Sequence, residues 1–143
     1  MKTIRILAIT LLSAIGLHAH ENIESGPNGG RVLTTTEPRA EFLVTPARKV
    51  QITFLGEDGK PVPPTNEVVT VTTGDRSAPT KLTFSPANGS LLSDQSIPEG
   101  NNFPVVTQIK PTAEAKATVA KFTLNLTTCS GCNHPEYACT CKH

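Results

Sequence analysis

An alternation of apolar and polar side chains, punctuated by Gly, Pro, Asn and Asp, runs through residues 31–127 and predicts a β protein. The clearest case is Lys49-Val50-Gln51-Ile52-Thr53-Phe54, where every second side chain is apolar and would face a core while the others face water. The Asp58-Gly59 pair that follows supplies the positive φ of a tight turn. Further strands are predicted at 41–45, 67–73, 81–84, 103–109 and 118–127, with a less regular candidate at 31–36.

Three segments rich in proline and asparagine, 61–64, 86–89 and 98–102, separate these strands. Because proline cannot donate to a sheet ladder and Asn-Gly favours turns, we expect them to be loops. Only residues 113–117 have a helical composition, and they can form at most a turn or two. Short strands at this spacing, without crossover helices, predict an all-β fold over residues 20–127. We expect an antiparallel β-sandwich of immunoglobulin-like architecture.

The first nineteen residues have the pattern of a secretory signal peptide. A basic start is followed by an apolar run over residues 6–16, and the small residue Ala19 precedes a polar stretch. The apolar run is shorter than the roughly 20 residues that span a bilayer. An uncleaved anchor or a buried helix is the alternative interpretation. We expect a mature chain of residues 20–143, periplasmic or secreted, without a membrane span after cleavage.

Composition argues against several classes of function. Without Lys2 and Arg5 the thirteen basic side chains fall to eleven, against twelve acidic ones, and no basic face or arginine run indicates nucleic acid. Neither His nor Cys occurs between Glu21 and Thr128, so Ser/His/Asp catalysis has no histidine within the predicted sandwich. The carboxylates are scattered, mostly beside turns, and are interpreted as solvated side chains. We expect that the chain is not an enzyme.

All four cysteines and two of the four histidines lie in residues 128–143, spaced C-x2-C-x-H-x4-C-x-C-x-H. Two residues between the first two cysteines allow a tight turn to aim both sulfurs at one metal ion. The last three ligand candidates alternate, so an extended strand would spread them along one face and only a curled chain would bring them together. The predicted metal ligands are Cys129, Cys132, His134, Cys139, Cys141 and His143.

The sequence does not select the identity of the metal, because six candidate ligands exceed the four that tetrahedral zinc uses. One interpretation is a single zinc site with four thiolates, or with three thiolates and one imidazole. The other is a sulfur-rich Cu(I) or polynuclear site with bridging thiolates. If His20 is the first mature residue, its amine and imidazole could also chelate Cu(II).

Two alternatives do not involve a metal. An exported chain with four cysteines can form two disulfides, Cys129 and Cys132 each pairing with Cys139 or Cys141. A redox-active C-x-x-C pair is the third interpretation, although such pairs work best at a helix N-terminus. The histidines interleaved among the cysteines favour a metal, since a disulfide staple does not need them.

Two stretches resemble proteins of heavy-metal resistance. Gly26-Pro27-Asn28-Gly29-Gly30-Arg31-Val32, followed by Asp58-Gly59-Lys60-Pro61, resembles small exported bacterial β-proteins and the N-terminal segments of periplasmic efflux adaptors, over residues 20–65. Cys132-Asn133-His134-Pro135-Glu136 is similar to the Cys-Pro-Met-His-Pro core of short heavy-metal-binding modules, without its Met. The adaptors are longer and carry helical hairpins. The resemblance implies exported metal handling, with a periplasmic efflux or metal-handling protein as partner.

Two functions from different classes therefore fit the sequence. The first is an exported, soluble metal-binding protein that buffers, sequesters or transfers Zn or Cu(I) through its C-terminal tail, residues 128–143. The second is a β-sandwich module for protein interaction or structure, with a disulfide-stapled tail. The redox and metal state of the tail discriminates between them, because disulfides remove the thiolate ligands.

Overall fold

The computed structural model describes residues 22–141 of the chain, so the predicted signal peptide, His20 and His143 lie outside the described residues. Nearly all regular structure in the described part is β, and no helix there is long and apolar enough to cross a membrane. The strands are β1 (Arg31–Leu33), β2 (Ala40–Val44), β3 (Lys49–Leu55), β4 (Pro61–Val62), β5 (Val68–Asp75), β6 (Ala78–Leu82), β7 (Phe84–Ala87), β8 (Ser90–Ser96), β9 (Phe103–Lys110) and β10 (Thr118–Leu124), followed by a 3₁₀ turn, Glu136–Ala138.

The strands form two antiparallel sheets. One has the order β1-β2-β3-β8-β7, with β4 paired to the end of β3, and the other has the order β10-β9-β5-β6. The runs β2-β3-β8-β7 and β10-β9-β5 reproduce the A-B-E-D and G-F-C orders of immunoglobulin-like sandwiches. The predicted fold class, an open antiparallel β-sandwich, is therefore confirmed.

The core lies between the sheets and is built by the predicted alternation. Val50, Ile52 and Phe54 of β3 are buried, and Val105 and Leu124 are buried on the facing sheet. Burying each such side chain contributes about 1.5–3 kcal/mol before entropy is counted. The inward face of the clearest predicted strand is thus the inward face in the structure.

Several local predictions were wrong. Pro86 and Ala87, expected in a loop, end β7, an edge strand where the missing proline N–H is tolerated. Pro61–Val62 pairs with β3, and β8 was not predicted at all. Thr53, expected to face water, is 2% exposed, and its hydroxyl lies 3.0 Å from that of Ser90. Residues 113–117, where at most a turn or two was expected, form a turn.

Glu41 corrects the expectation that the carboxylates are solvated. Its side chain is fully buried and accepts hydrogen bonds from the amide N–H groups of Asn28 at 2.9 Å and Gly30 at 2.7 Å, and from Asn28 Nδ2 at 2.7 Å. A Cβ on Gly26 would lie 2.4 Å from Glu41 Cδ, so only glycine fits at that position. The glycine loop, residues 26–30, therefore wraps a buried carboxylate.

Candidate metal centre

The chain folds back on itself soon after β10. The amide of Cys129 donates to the carbonyl of His134 at 2.8 Å, and the amide of Asn133 donates to the carbonyl of Cys129 at 3.1 Å. Asn133 has a φ of 59°, a left-handed conformation that asparagine tolerates better than most residues. These contacts close a tight loop, which brings the sulfurs of Cys129 and Cys132 to the same side.

The 3₁₀ turn between the two cysteine pairs is docked on the sandwich. The amide of Tyr137 donates to the carbonyl of Asn125 at 3.0 Å, just after β10. The Tyr137 ring is 2% exposed, with its centroid 6.0 Å from that of Phe42 and 6.3 Å from that of Phe122. Its hydroxyl accepts a hydrogen bond from the amide of Val44 at 3.0 Å. The segment that carries the cysteines therefore shares the core of the sandwich.

Four cysteines converge on one point, and we call them the four-cysteine cluster: Cys129, Cys132, Cys139 and Cys141. Their Sγ atoms all lie within 4.8 Å of one another. The sulfur of Cys139 lies 3.3 Å from that of Cys129 and 3.5 Å from that of Cys132, while Cys129 and Cys141 are separated by 4.0 Å. Zinc–sulfur bonds of about 2.3 Å place tetrahedral thiolates about 3.8 Å apart. The donor set and spacing therefore fit one metal ion.

Backbone N–H groups donate hydrogen bonds to the two inner sulfurs of this cluster, those of Cys129 and Cys139. The N–H of Gly131 donates to Cys129 Sγ at 3.4 Å, and the N–H of Cys141 donates to Cys139 Sγ at 3.4 Å. Cys129 and Cys139 are buried, at 1% and 4% exposure, whereas Cys132 and Cys141 are half-buried. Such N–H···S bonds favour the ionised thiolate, which is the form that binds a metal.

The thiols fall into two pairs by acidity. The amide of Gly131 lowers the pKa of Cys129, and the amide of His134 lowers the pKa of Cys132 to about 7. The amide of Cys141 lowers the pKa of Cys139, but hydrogen bonding with Cys129 and burial outweigh it and raise this pKa to about 12. Hydrogen bonding with Cys132 raises the pKa of Cys141. A bound cation would displace protons chiefly from the second pair.

Gly131 is required by the close approach of the sulfurs. A Cβ at this position would lie 3.0 Å from Cys141 Sγ and 3.7 Å from Cys129 Sγ. The first of these distances is shorter than an ordinary van der Waals contact. A side chain here would therefore push Cys141 away from the cluster.

The structure does not bring the predicted ligand His134 into the cluster. Its half-buried imidazole lies beside the glycine loop, where a Cβ added to Gly29 would be 3.5 Å from Nδ1. His134 acts on the cluster through its backbone, since its carbonyl closes the loop and its amide supports Cys132. The sequence pattern did not single out Tyr137, although it is the one tyrosine of the chain and stands between the cysteine pairs.

Comparisons with known proteins add no relative. A scan against protein-family models, a search of curated proteins and a search of solved structures each found no match. The interpretation of the site therefore depends on its own geometry. On that geometry, the four cysteines lie close enough together to bind a metal ion.

Proposed function

We propose that this chain is an exported metal-binding protein that holds one Zn²⁺ or Cu(I) ion through the thiolates of the four-cysteine cluster. The observation that carries the proposal is the convergence of all four Sγ atoms within 4.8 Å of one another. Four buried or half-buried thiols from one short segment are a soft, anionic donor set, which suits both metals. The signal-peptide pattern of the first nineteen residues supports export.

Zinc is the first candidate for the ion. The number of converging sulfurs equals the coordination number of tetrahedral Zn²⁺, so no vacant position has to be filled by water. Cu(I) shares the preference for thiolates and competes for the same ligands. When bound, the ion would join both ends of the cysteine segment, residues 128–141, to one centre. Binding is then coupled to the ordering of this segment.

The expected stoichiometry is one metal ion per chain. Within residues 22–141, the four-cysteine cluster is the one group of three or more His, Cys, Asp or Glu side chains close enough to share an ion. One ion per chain, carried at the surface of a stable sandwich, is suited to buffering, sequestration or transfer of the metal. A metal-handling protein of the same compartment is the expected partner.

Elemental analysis combined with thiol counting tests the proposal. We expect about one metal ion per chain after purification under anaerobic conditions. Its thiols should become titratable only after a chelator is added. Cys129→Ser should lose most of the metal, because it removes an inner ligand, whereas Ser130→Ala, a change at the exposed neighbouring residue, should retain it.

Two disulfides in place of a metal site would give an equally specific result. A chain without metal and without free thiols, with an intact mass lower by two pairs of hydrogens, would show two disulfides. That result would contradict metal binding and favour the disulfide-stapled interaction module.

A further inference from the structure

The four-cysteine cluster has a buried side and an open side. Cys129 and Cys139 are the inner sulfurs, at 1% and 4% exposure, and each accepts an N–H···S bond. Cys132 and Cys141 are half-buried and form the outer edge of the cluster. This asymmetry indicates that an ion held here would be reached from solvent at one edge.

The described residues beside Cys132 and Cys141 do not cover the outer edge. Four neighbours of Cys132 and Cys141 in the chain are exposed, small and uncharged: Ser130, Gly131, Asn133 and Thr140. Gly131 is the neighbour that most affects access to Cys141, since a Cβ at this position would lie 3.0 Å from Cys141 Sγ. Neither charge nor bulk at these positions obstructs an incoming ligand.

Building on the proposed function, we propose that the bound ion is transferred at this outer edge to a thiolate-bearing acceptor by associative ligand exchange. The acceptor thiolate forms a sulfur–metal bond while the bond to one outer cysteine breaks. The displaced thiolate takes up a proton from solvent. The oxidation state of the metal does not change, and the inner sulfurs hold the ion until the acceptor has supplied a second ligand.

Cys141 is the outer ligand that leaves first. Cys132 lies inside the loop closed by the hydrogen bonds between Cys129 and both His134 and Asn133, so its sulfur is held in place. Cys141 instead follows Cys139, which has an extended backbone with ψ of 128°, and the exposed Thr140. Within the described residues, releasing the Cys141 side chain leaves the hydrogen-bonded loop around Cys132 intact. The acceptor is selected by its sulfur ligand, because a thiolate replaces a thiolate on the metal.

Transfer kinetics test this inference on the zinc-loaded full chain. Dithiothreitol serves as the thiolate acceptor at varied concentration, and a fixed amount of chromogenic chelator reports the zinc that has left the protein. We expect the rate of zinc loss to rise in proportion to the dithiothreitol concentration. Threitol, the matching diol without sulfur, should have no effect. Gly131→Ala, whose Cβ would push Cys141 away from the cluster, should raise the thiol-dependent rate severalfold, while Ser130→Ala should leave it unchanged.

Two outcomes would overturn the inference, and they are distinguishable. A loaded protein whose zinc loss is independent of dithiothreitol would show release by opening of the site, and would remove the exchange mechanism while leaving metal binding intact. Failure of the purified chain to hold stoichiometric zinc would overturn the proposed function, and the exchange mechanism with it.

Discussion

Replacement of Tyr137 measures how firmly the cysteine segment is docked on the sandwich. Tyr137→Ala removes a side chain that is 2% exposed and packs against both Phe42 and Phe122. Tyr137→Phe keeps the ring and removes only the hydroxyl that accepts the N–H of Val44 at 3.0 Å. The two variants therefore separate the packing of the ring from its hydrogen bond.

The expected magnitudes follow from these contacts. Truncating a buried aromatic ring to Ala costs about 3–5 kcal/mol of unfolding free energy, because a cavity is left. Leaving a buried amide donor without its acceptor costs about 1–3 kcal/mol. Tyr137→Ala should therefore be the more destabilising variant. Because the segment that holds Tyr137 also carries the four-cysteine cluster, Tyr137→Ala should weaken zinc binding. The zinc affinity should fall about tenfold for each 1.4 kcal/mol of docking free energy that zinc binding must restore.

Urea denaturation of the zinc-loaded and metal-free forms, with zinc affinity measured by chelator competition, provides the assay. Thr127→Ala, a change at an exposed position just before the cluster, is the matched control. If Tyr137→Ala unfolded within about 0.5 kcal/mol of the parent, the scale of an ordinary surface substitution, Tyr137 would not be part of the core. The docking argument would then be refuted.

Three further predictions test other parts of the account. Glu41→Gln should lower the free energy of unfolding, measured by urea denaturation, by about 1–3 kcal/mol, because its amide N–H₂ would face the N–H donors of the glycine loop. Unchanged stability would contradict the hydrogen bonds that Glu41 accepts in the structure. His134→Ala should retain the metal stoichiometry in elemental analysis, since its imidazole lies outside the cluster, and loss of the ion would make His134 a ligand. Zinc binding at neutral pH should release at least the protons of Cys139 and Cys141, whose pKa values are raised, so affinity should fall as pH falls. Calorimetry in buffers of different ionisation enthalpy measures this release, and binding without it would exclude these thiols as ligands.

The strands that sequence analysis identified are those whose two faces differ clearly. In β3 the apolar side chains meet the facing sheet, so the alternation and the burial coincide. In β8 the pattern fails, because Ser90 and Ser93 are buried and hydrogen-bonded to β3, Ser93 accepting the N–H of Val50 at 3.0 Å. Polar side chains that form their hydrogen bonds with a neighbouring strand can be buried, so the alternation of apolar and polar residues does not reveal the strand that carries them.

The closeness of the four cysteines was predictable from the sequence, but the contacts that support them were not. C-x2-C and C-x-C spacing identified the four cysteines, because thiolates close in sequence readily converge on one centre. The docking of Tyr137 and the burial of Glu41 depend on contacts between residues far apart in the chain, with Phe42 and with the glycine loop respectively. Spacing along the chain does not encode such contacts. The position of the His134 ring beside Gly29 is a tertiary contact of the same kind.

X-ray absorption spectroscopy of the zinc-loaded protein tests the central claim most directly. We predict that four sulfur atoms surround the zinc ion at about 2.3 Å, with no nitrogen ligand. Cys141→Ser should reduce the sulfur count by one while the inner pair remains. A first shell that contains histidine nitrogen or carboxylate oxygen, or a protein that binds no zinc under reducing conditions, would contradict a four-thiolate centre.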